Sequence, residues 1–458
     1  MILNLNNFDV KNNVDESLTF PKSSFKKFAQ NADAYFQAVD SGLNKINPND
    51  AIDVLSALVA FKGYFVNESK WEQLTLHLLN TLQKGIQKSI YDKIASFEGM
   101  THVAYTINDL VSVAPKLKPF HENINQILLE NLDAHLQRAD QDKYYTKGNF
   151  EVIEGLSGPL SYLLQYENDN QSRTSNETYD MINRIVNVFI RRSKDTTILR
   201  QRVPGWIYFP SKSEMKYTPI DFKNGVINYG LSHGIAAPLV TLSMAYNSET
   251  AESRIPRTTA GSAENLINVI NALIREFMSA YYYVENITYW PSRVSIEQYI
   301  ETHEKHRNPT PMSWCYGSVS ILRSLYVAST LTSNSEVKQF ALKELVKIAE
   351  MPLANYRLQQ MIVCHGFAGT AAILNAMHVD TDLEQFQRKA LEMIEVCATM
   401  SIDSFFEHEN RITREKHSFR QASLHSHLEG YNGVIQSTLS ILKCVPNGNN
   451  KRLLISIR

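Results

Sequence analysis

One short pattern occurs six times in this chain: a distinctive residue, then glycine, two variable residues, a small residue and an apolar run. The copies are FEGMTH at 97–102, IEGLSG at 153–158, SHGIAA at 232–237, CYGSVS at 315–320, CHGFAG at 364–369 and LEGYNG at 428–433. The first is the weakest, ending in His102 rather than a small residue. The repeat glycines (Gly99, Gly155, Gly234, Gly317, Gly366 and Gly430) stand roughly 50 to 80 residues apart, room for two helices and a loop or insertion. Glycine and small residues near a helix start let backbones approach closely. Segments 71–90, 262–283 and 336–351 carry apolar residues at three- and four-residue spacing and read as helix. Period-two patterns are scarce, and the clearest strand candidates lie near Trp206 to Phe209. The natural architecture is an all-α ring of helical hairpins, with glycine-led helices inside and amphipathic ones outside. A linear solenoid of helix pairs, or helix-start glycines in an irregular all-α fold, is the competing arrangement.

The bulk numbers remove several function classes. Basic and acidic residues number 46 and 47, so overall charge makes no case for a nucleic-acid partner. The amino terminus lacks a basic start followed by an apolar core, and no apolar run approaches the roughly 20 residues that span a bilayer. The four cysteines, Cys315, Cys364, Cys397 and Cys444, are too few for a disulfide framework in 458 residues. The expectation is a cytoplasmic protein whose functional cysteines are metal ligands or nucleophiles.

Aligning the six copies brings reactive residues into register. Two positions before the glycine stand Cys315 and Cys364; immediately before it stand His233, Tyr316 and His365. In a ring, equivalent positions converge on one end of the central cavity. Cys315, Cys364 and His365 then make a three-ligand zinc site with a fourth position for water or substrate. Spacing alone favours inert buried cysteines, since no CxxC or HExxH pattern is present; the repeat register reverses that preference. Such a site suits thiol chemistry, because zinc lets a substrate thiol lose its proton near neutral pH. Addition of a thiolate to an alkene conjugated with a carbonyl then requires a proton at the α carbon. His233 is the candidate acid, the alternative being a helix-start histidine bonded to backbone.

SWCYG at 313–317, VCHGFAG at 363–369 and GLSHG at 230–234 resemble the signature motifs of the lanthionine synthetase C-like proteins. EVIEGLSG at 151–158 and HLEGYNG at 427–433 resemble that family's accompanying glycine repeats, and the likeness runs over about residues 90–445 in matching order. The resemblance implies an α/α toroid of seven inner and seven outer helices across residues 1–458. It also implies a small extension with some β structure, whose likeliest host is 195–228, and a first hairpin ahead of Gly99. It places one zinc ion on Cys315, Cys364 and His365, acid/base work on His233, and supporting roles on Trp314 and Tyr316. Two departures stand out. The family's aspartate before the second repeat is here Glu151, with Glu154 nearby, and the arginine ahead of the Trp-Cys pair is replaced by Pro311, leaving Arg307 as substitute. His425 and His427 are read as capping or exposed residues rather than ligands, and Cys397 and Cys444 as buried thiols.

The leading expectation is a lanthipeptide cyclase. It would add peptide cysteine thiols to dehydroalanine or dehydrobutyrine in a ribosomal precursor, forming lanthionine and methyllanthionine rings. The resemblance implies a dehydrated precursor with its leader, a dehydratase and an export transporter as partners, with peripheral membrane association through them. One rival is prenyltransferase-like thiol alkylation, whose zinc ligands normally include aspartate. The other is a non-catalytic, zinc-stabilised scaffold for peptide or glutathione. Fold alone does not decide between them.

Overall fold

Each repeat glycine precedes a helix by one or two residues in the structure, a computed structural model. It describes residues 1–5, 20–139, 146–169, 175–210, 222–250, 262–301, 308–415, 422–443 and 451–457. Seven helices among the described residues carry an unbroken run of eight or more buried residues: Pro48–Phe61, Met100–Val113, Ser157–Asp169, Ala236–Thr250, Ser318–Leu331, Phe367–Thr381 and Tyr431–Leu442. A helix apolar all round belongs in an interior. Six of them follow a repeat glycine. The seventh, Pro48–Phe61, starts without one: the Asn47 side chain accepts the Asp50 N–H and Pro48 opens the first turn. Helices between them bury one face only. Ile402–Glu415, for instance, buries Phe405, Glu409 and Ile412, four and three residues apart.

Packing divides the chain into two compact units. One contains Met1–Asp92, Val103–Glu122 and Ala349–Asn450. In it Phe367–Thr381 packs on Glu384–Ala398 and Tyr431–Leu442, and Pro48–Phe61 packs on Glu68–Gln87. Phe36 and Phe61 meet edge-on at 5.3 Å in its core. The other contains Lys93–His102, Asn123–Ile348 and Lys451–Arg458. There Ala236–Thr250 packs on Ser318–Leu331, Ser262–Ala280 and Ser157–Asp169.

The second unit also holds three antiparallel strand pairs: Thr196–Ile198 with Gln201–Val203, Val226–Asn228 with Arg293–Ser295, and Tyr282–Val284 with Ile287–Tyr289. The strand expected near Trp206 to Phe209 is not one. Tyr208 alone bridges Val226, and Pro204, Gly205 and Pro210 interrupt the stretch. The helix expected over 262–283 ends at Ala280, because Tyr282 and Tyr283 enter a strand that suits aromatic residues. No helix among the described residues is long and apolar enough to cross a membrane.

Candidate metal centre and proton-transfer site

The repeat is a backbone lasso. In three copies the residue after the glycine donates its N–H to the carbonyl six residues before the glycine: Met100 to Lys93 (2.8 Å), Ile235 to Asn228 (2.8 Å) and Phe367 to Gln360 (3.0 Å). In the last copy Tyr431 reaches one residue further, to Ser423 at 3.0 Å. Glycine is needed at the crossing. A Cβ on Gly366 would lie 2.4 Å from the Gln360 oxygen, and Gly317 adopts φ +115° with a Cβ position 2.2 Å from the Pro311 oxygen. The residues one and two places before the glycine are thereby fixed within a closed loop.

Neighbouring lassos are tied by backbone hydrogen bonds. Ser96 N–H donates to Ile153 (2.9 Å), Val152 N–H to Ser232 (3.3 Å) and Leu231 N–H to Cys315 (3.1 Å). In the other unit Cys364 N–H donates to Leu428 at 2.9 Å. Equivalent positions of successive copies are therefore neighbours in space within each unit.

Cys315, Cys364 and His365 offer ligand atoms that all lie within 4.8 Å of one another, the one such group of three among the described residues. Both cysteines are buried and His365 is half-buried. Tetrahedral zinc with bonds near 2.0–2.3 Å needs donors about 3.5–3.8 Å apart, so a small side-chain adjustment would bring this set within reach of one ion. Two thiols, an imidazole and no carboxylate match zinc chemistry. The residues fit the group.

His233 is not held by backbone. Its Nδ1 lies 2.6 Å from Glu151 Oε2, and Glu151, fully buried, also accepts the N–H groups of Ile153 (3.1 Å) and Glu154 (2.5 Å). Glutamate at this position thus grips its own lasso and the imidazole of the next one.

Tyr316 is half-buried beside Asn228, whose Nδ2 lies 3.4 Å from the tyrosine oxygen. Burial pushes the Tyr316 hydroxyl above the usual tyrosine range; the Asn228 hydrogen bond and the Arg293 charge ease the shift, and the Cys315 and Tyr208 charges add to it. Trp314 is fully buried, donates Nε1–H to the Leu453 carbonyl at 2.9 Å and meets Phe97 edge-on at 6.0 Å. Its side chain anchors the Cys315 loop by packing. Arg307 lies outside the described residues. Pro311, at the position of the expected arginine, is exposed, and its carbonyl packs on Gly317.

His427 is buried and donates its backbone N–H to Asp53 Oδ2 at 3.0 Å. The His425 carbonyl accepts Asn432 Nδ2 at 2.8 Å. Both histidines belong to the Gly430 lasso, and neither joins the metal-ligand group. Cys397 is buried, with burial pushing its thiol well up; Cys444 lies outside the described residues. Sequence reasoning missed Asn228, Arg293 and Glu409. Arg293 pairs with Asn228 across the strands Val226–Asn228 and Arg293–Ser295, a match 65 residues apart in sequence. Glu409 had a signal, a carboxylate inside an apolar stripe.

Comparison with known proteins follows the same lines. The family described as "Lanthionine synthetase C-like protein" matches residues 55–449. The "Nisin biosynthesis protein NisC" of Lactococcus lactis subsp. lactis is 23% identical over 325 residues, covering 68% of this chain and 70% of that protein. The solved structure "Nisin cyclase" matches with a TM-score of 0.70 at 18% identity, covering 94% of this chain and 98% of that chain. The fold is accordingly the mostly helical α/α toroid expected from the repeat.

Proposed function

The chain belongs to the lanthionine synthetase C-like protein family, and from that premise we propose that it is a lanthipeptide cyclase, closing thioether rings in a dehydrated precursor peptide. The observation that carries the reading is the combination of a two-thiol, one-imidazole ligand set with a histidine held by a buried carboxylate. Cys315, Cys364 and His365 would hold one zinc ion. When bound, zinc would leave one position for a substrate cysteine and let its thiol ionise near neutral pH. The remaining chemistry belongs to the chain's own side chains. As the S–Cβ bond forms, the dehydro residue's double-bond electrons shift toward Cα and its carbonyl, and a proton must arrive at Cα. The thiol's proton leaves and Cα gains one, so the reaction consumes none overall. Glu151 orients His233 through Nδ1, leaving Nε2 as the nitrogen that exchanges the proton. Tyr316 would supply an O–H donor for developing negative charge on the carbonyl oxygen. Trp314 supports the Cys315 loop.

The partners implied are the precursor with its leader, a dehydratase and an export transporter, in a cytoplasmic assembly that meets the membrane peripherally. Zinc content by elemental analysis is the first test. About one zinc per chain is expected for a three-ligand site, falling sharply in Cys315→Ala, Cys364→Ala and His365→Ala. Free thiols on dehydrated precursor should then disappear with intact protein. Full zinc in all three variants, or unchanged thiol counts with zinc-loaded protein, would overturn the reading.

A further inference from the structure

Cys364 and His365 are adjacent in sequence, and for both to reach one ion the backbone between them must point in a fixed direction. The lasso 360–367 supplies that direction, and its neck is two crossings: Phe367 N–H to the Gln360 carbonyl (3.0 Å) and Ala368 N–H to the Met361 carbonyl (3.2 Å). The incoming limb of that neck is gripped from outside the repeat. Glu409, on helix Ile402–Glu415, accepts Met361 N–H through Oε1 at 2.7 Å and Gln360 Nε2–H through Oε2 at 3.0 Å. The neighbouring His408 donates Nε2–H to the Gln359 carbonyl at 2.7 Å. Three consecutive residues of the neck are thus held by two consecutive residues of one helix.

Glu409 is 2% exposed and stands between Phe405 and Ile412 in the buried stripe of its helix. If packing were all that mattered there, a leucine would fill the stripe without the desolvation penalty of a carboxylate. What the carboxylate adds is a two-pronged, charge-assisted hold on the backbone and side chain entering the ligand loop. The loop's apex is held separately, by Cys364 N–H on the Leu428 carbonyl.

We infer that Glu409 is a positioning residue for the metal centre, fixing the neck of the Cys364–His365 lasso so that both donors face the same ion. The inference rests on the zinc reading given above. It extends to the metal a role that partner groups behind metal ligands commonly play, where their loss weakens affinity about 10- to 100-fold.

The test is zinc affinity of the full-length chain, by competition with a chromophoric chelator, alongside the melting midpoint of zinc-free protein. Glu409→Leu should weaken zinc binding by about tenfold or more, and Glu409→Gln, which keeps one acceptor for Met361 N–H, by a smaller factor. The cobalt-substituted variants should also show a shifted thiolate-to-metal absorption band. If Glu409→Leu does not fold, Glu409→Gln decides: affinity and cobalt spectrum equal to the unaltered protein overturn the proposal. A lower zinc-free midpoint with unchanged zinc affinity makes Glu409 purely structural and also overturns it. Failure of the unaltered protein to bind zinc is a separate outcome that removes the metal reading and this proposal with it.

Discussion

Replacing Glu151 by glutamine keeps the shape of a fully buried side chain and removes its charge. The carboxylate accepts three hydrogen bonds, from Ile153 N–H, Glu154 N–H and His233 Nδ1. An amide presents one acceptor oxygen and two donors, so its NH2 must face at least one of these groups. Two outcomes are open to the side chain. If the amide oxygen takes the place of Oε1 it keeps only Glu154 N–H, and the NH2 faces both Ile153 N–H and Nδ1, which must then accept and leave Nε2 carrying the proton. If it takes the place of Oε2 it keeps Ile153 N–H and His233, and Glu154 N–H loses this acceptor. Either way one charge-assisted bond of about 1.5–3 kcal/mol is lost, and an imidazolium loses its counter-charge. Stability should fall by about 2 kcal/mol, a shift of a few degrees in melting midpoint. Cyclisation should slow by about 10²- to 10⁴-fold, the usual range for a disabled acid/base, with zinc content unchanged. Ring closure leaves peptide mass unaltered, so the assay counts alkylatable thiols over time. Glutamine protein that holds zinc and cyclises within about threefold of the original rate would refute the assignment of His233 and Glu151 as a proton-transfer pair.

Two further perturbations report on the frame around the site. Gly366→Ala puts a Cβ 2.4 Å from the Gln360 oxygen, and because both partners are backbone the lasso must open; we expect a loss of about 3 kcal/mol and weakened zinc binding, read by denaturant unfolding and chelator competition. His121 is buried, and desolvation, followed by the Lys118 charge, lowers its pKa to about 4. Its folded pKa lies below the unfolded value near 6.5, so the unfolded chain binds the proton first as pH falls. The neutral imidazole therefore adds nothing to pH dependence above about 6.5 and drains stability between about 6.5 and 4, by about 3 kcal/mol in all. His121→Phe should flatten unfolding free energy across that window; an unchanged slope would contradict the burial argument.

The legible part of the molecule was whatever the lasso encodes locally. A fixed offset from glycine to its crossing carbonyl shows in sequence as a recurring glycine, and neighbouring lassos then bring register positions together without further signal. That is why the approach of Glu151 to His233 was readable from family likeness, while the Cys315, Cys364 and His365 group came from the alignment of the copies together with that likeness. The first interior helix was harder to see because it starts on an Asn47–Pro48 cap instead of a glycine. The strands were hidden for another reason: each is three residues long, too short for a period-two pattern to register, and Val226–Asn228 finds its partner only in the folded chain. Aromatic richness near Trp206 marked burial, not pairing. Arg293 beside Tyr316 follows from that same strand pairing, so no local pattern announces it.

Three repeat lassos are held by a buried carboxylate accepting backbone N–H groups: Glu151 on Ile153 and Glu154, Asp53 on His427, and Glu409 on Met361. Among these bonds, only that of Glu151 is shared with a catalytic candidate, His233. A carboxylate has about four acceptor positions, so two spent on the backbone leave capacity for an imidazole while fixing where that imidazole points. The proton-transfer pair is on this view a structural grip with one additional bond. The distinction is measurable by comparing Asp53→Ala with Glu151→Gln. Asp53→Ala leaves the buried His427 N–H without this acceptor and should cost about 1–3 kcal/mol of stability, while cyclisation per bound zinc stays near the original rate. Glu151→Gln should lose a comparable amount of stability, about 2 kcal/mol, but it alone should show a large rate change. Equal rate losses in both would mean that the grips act on catalysis only through loop order, and the separate role of the Glu151–His233 bond would fall.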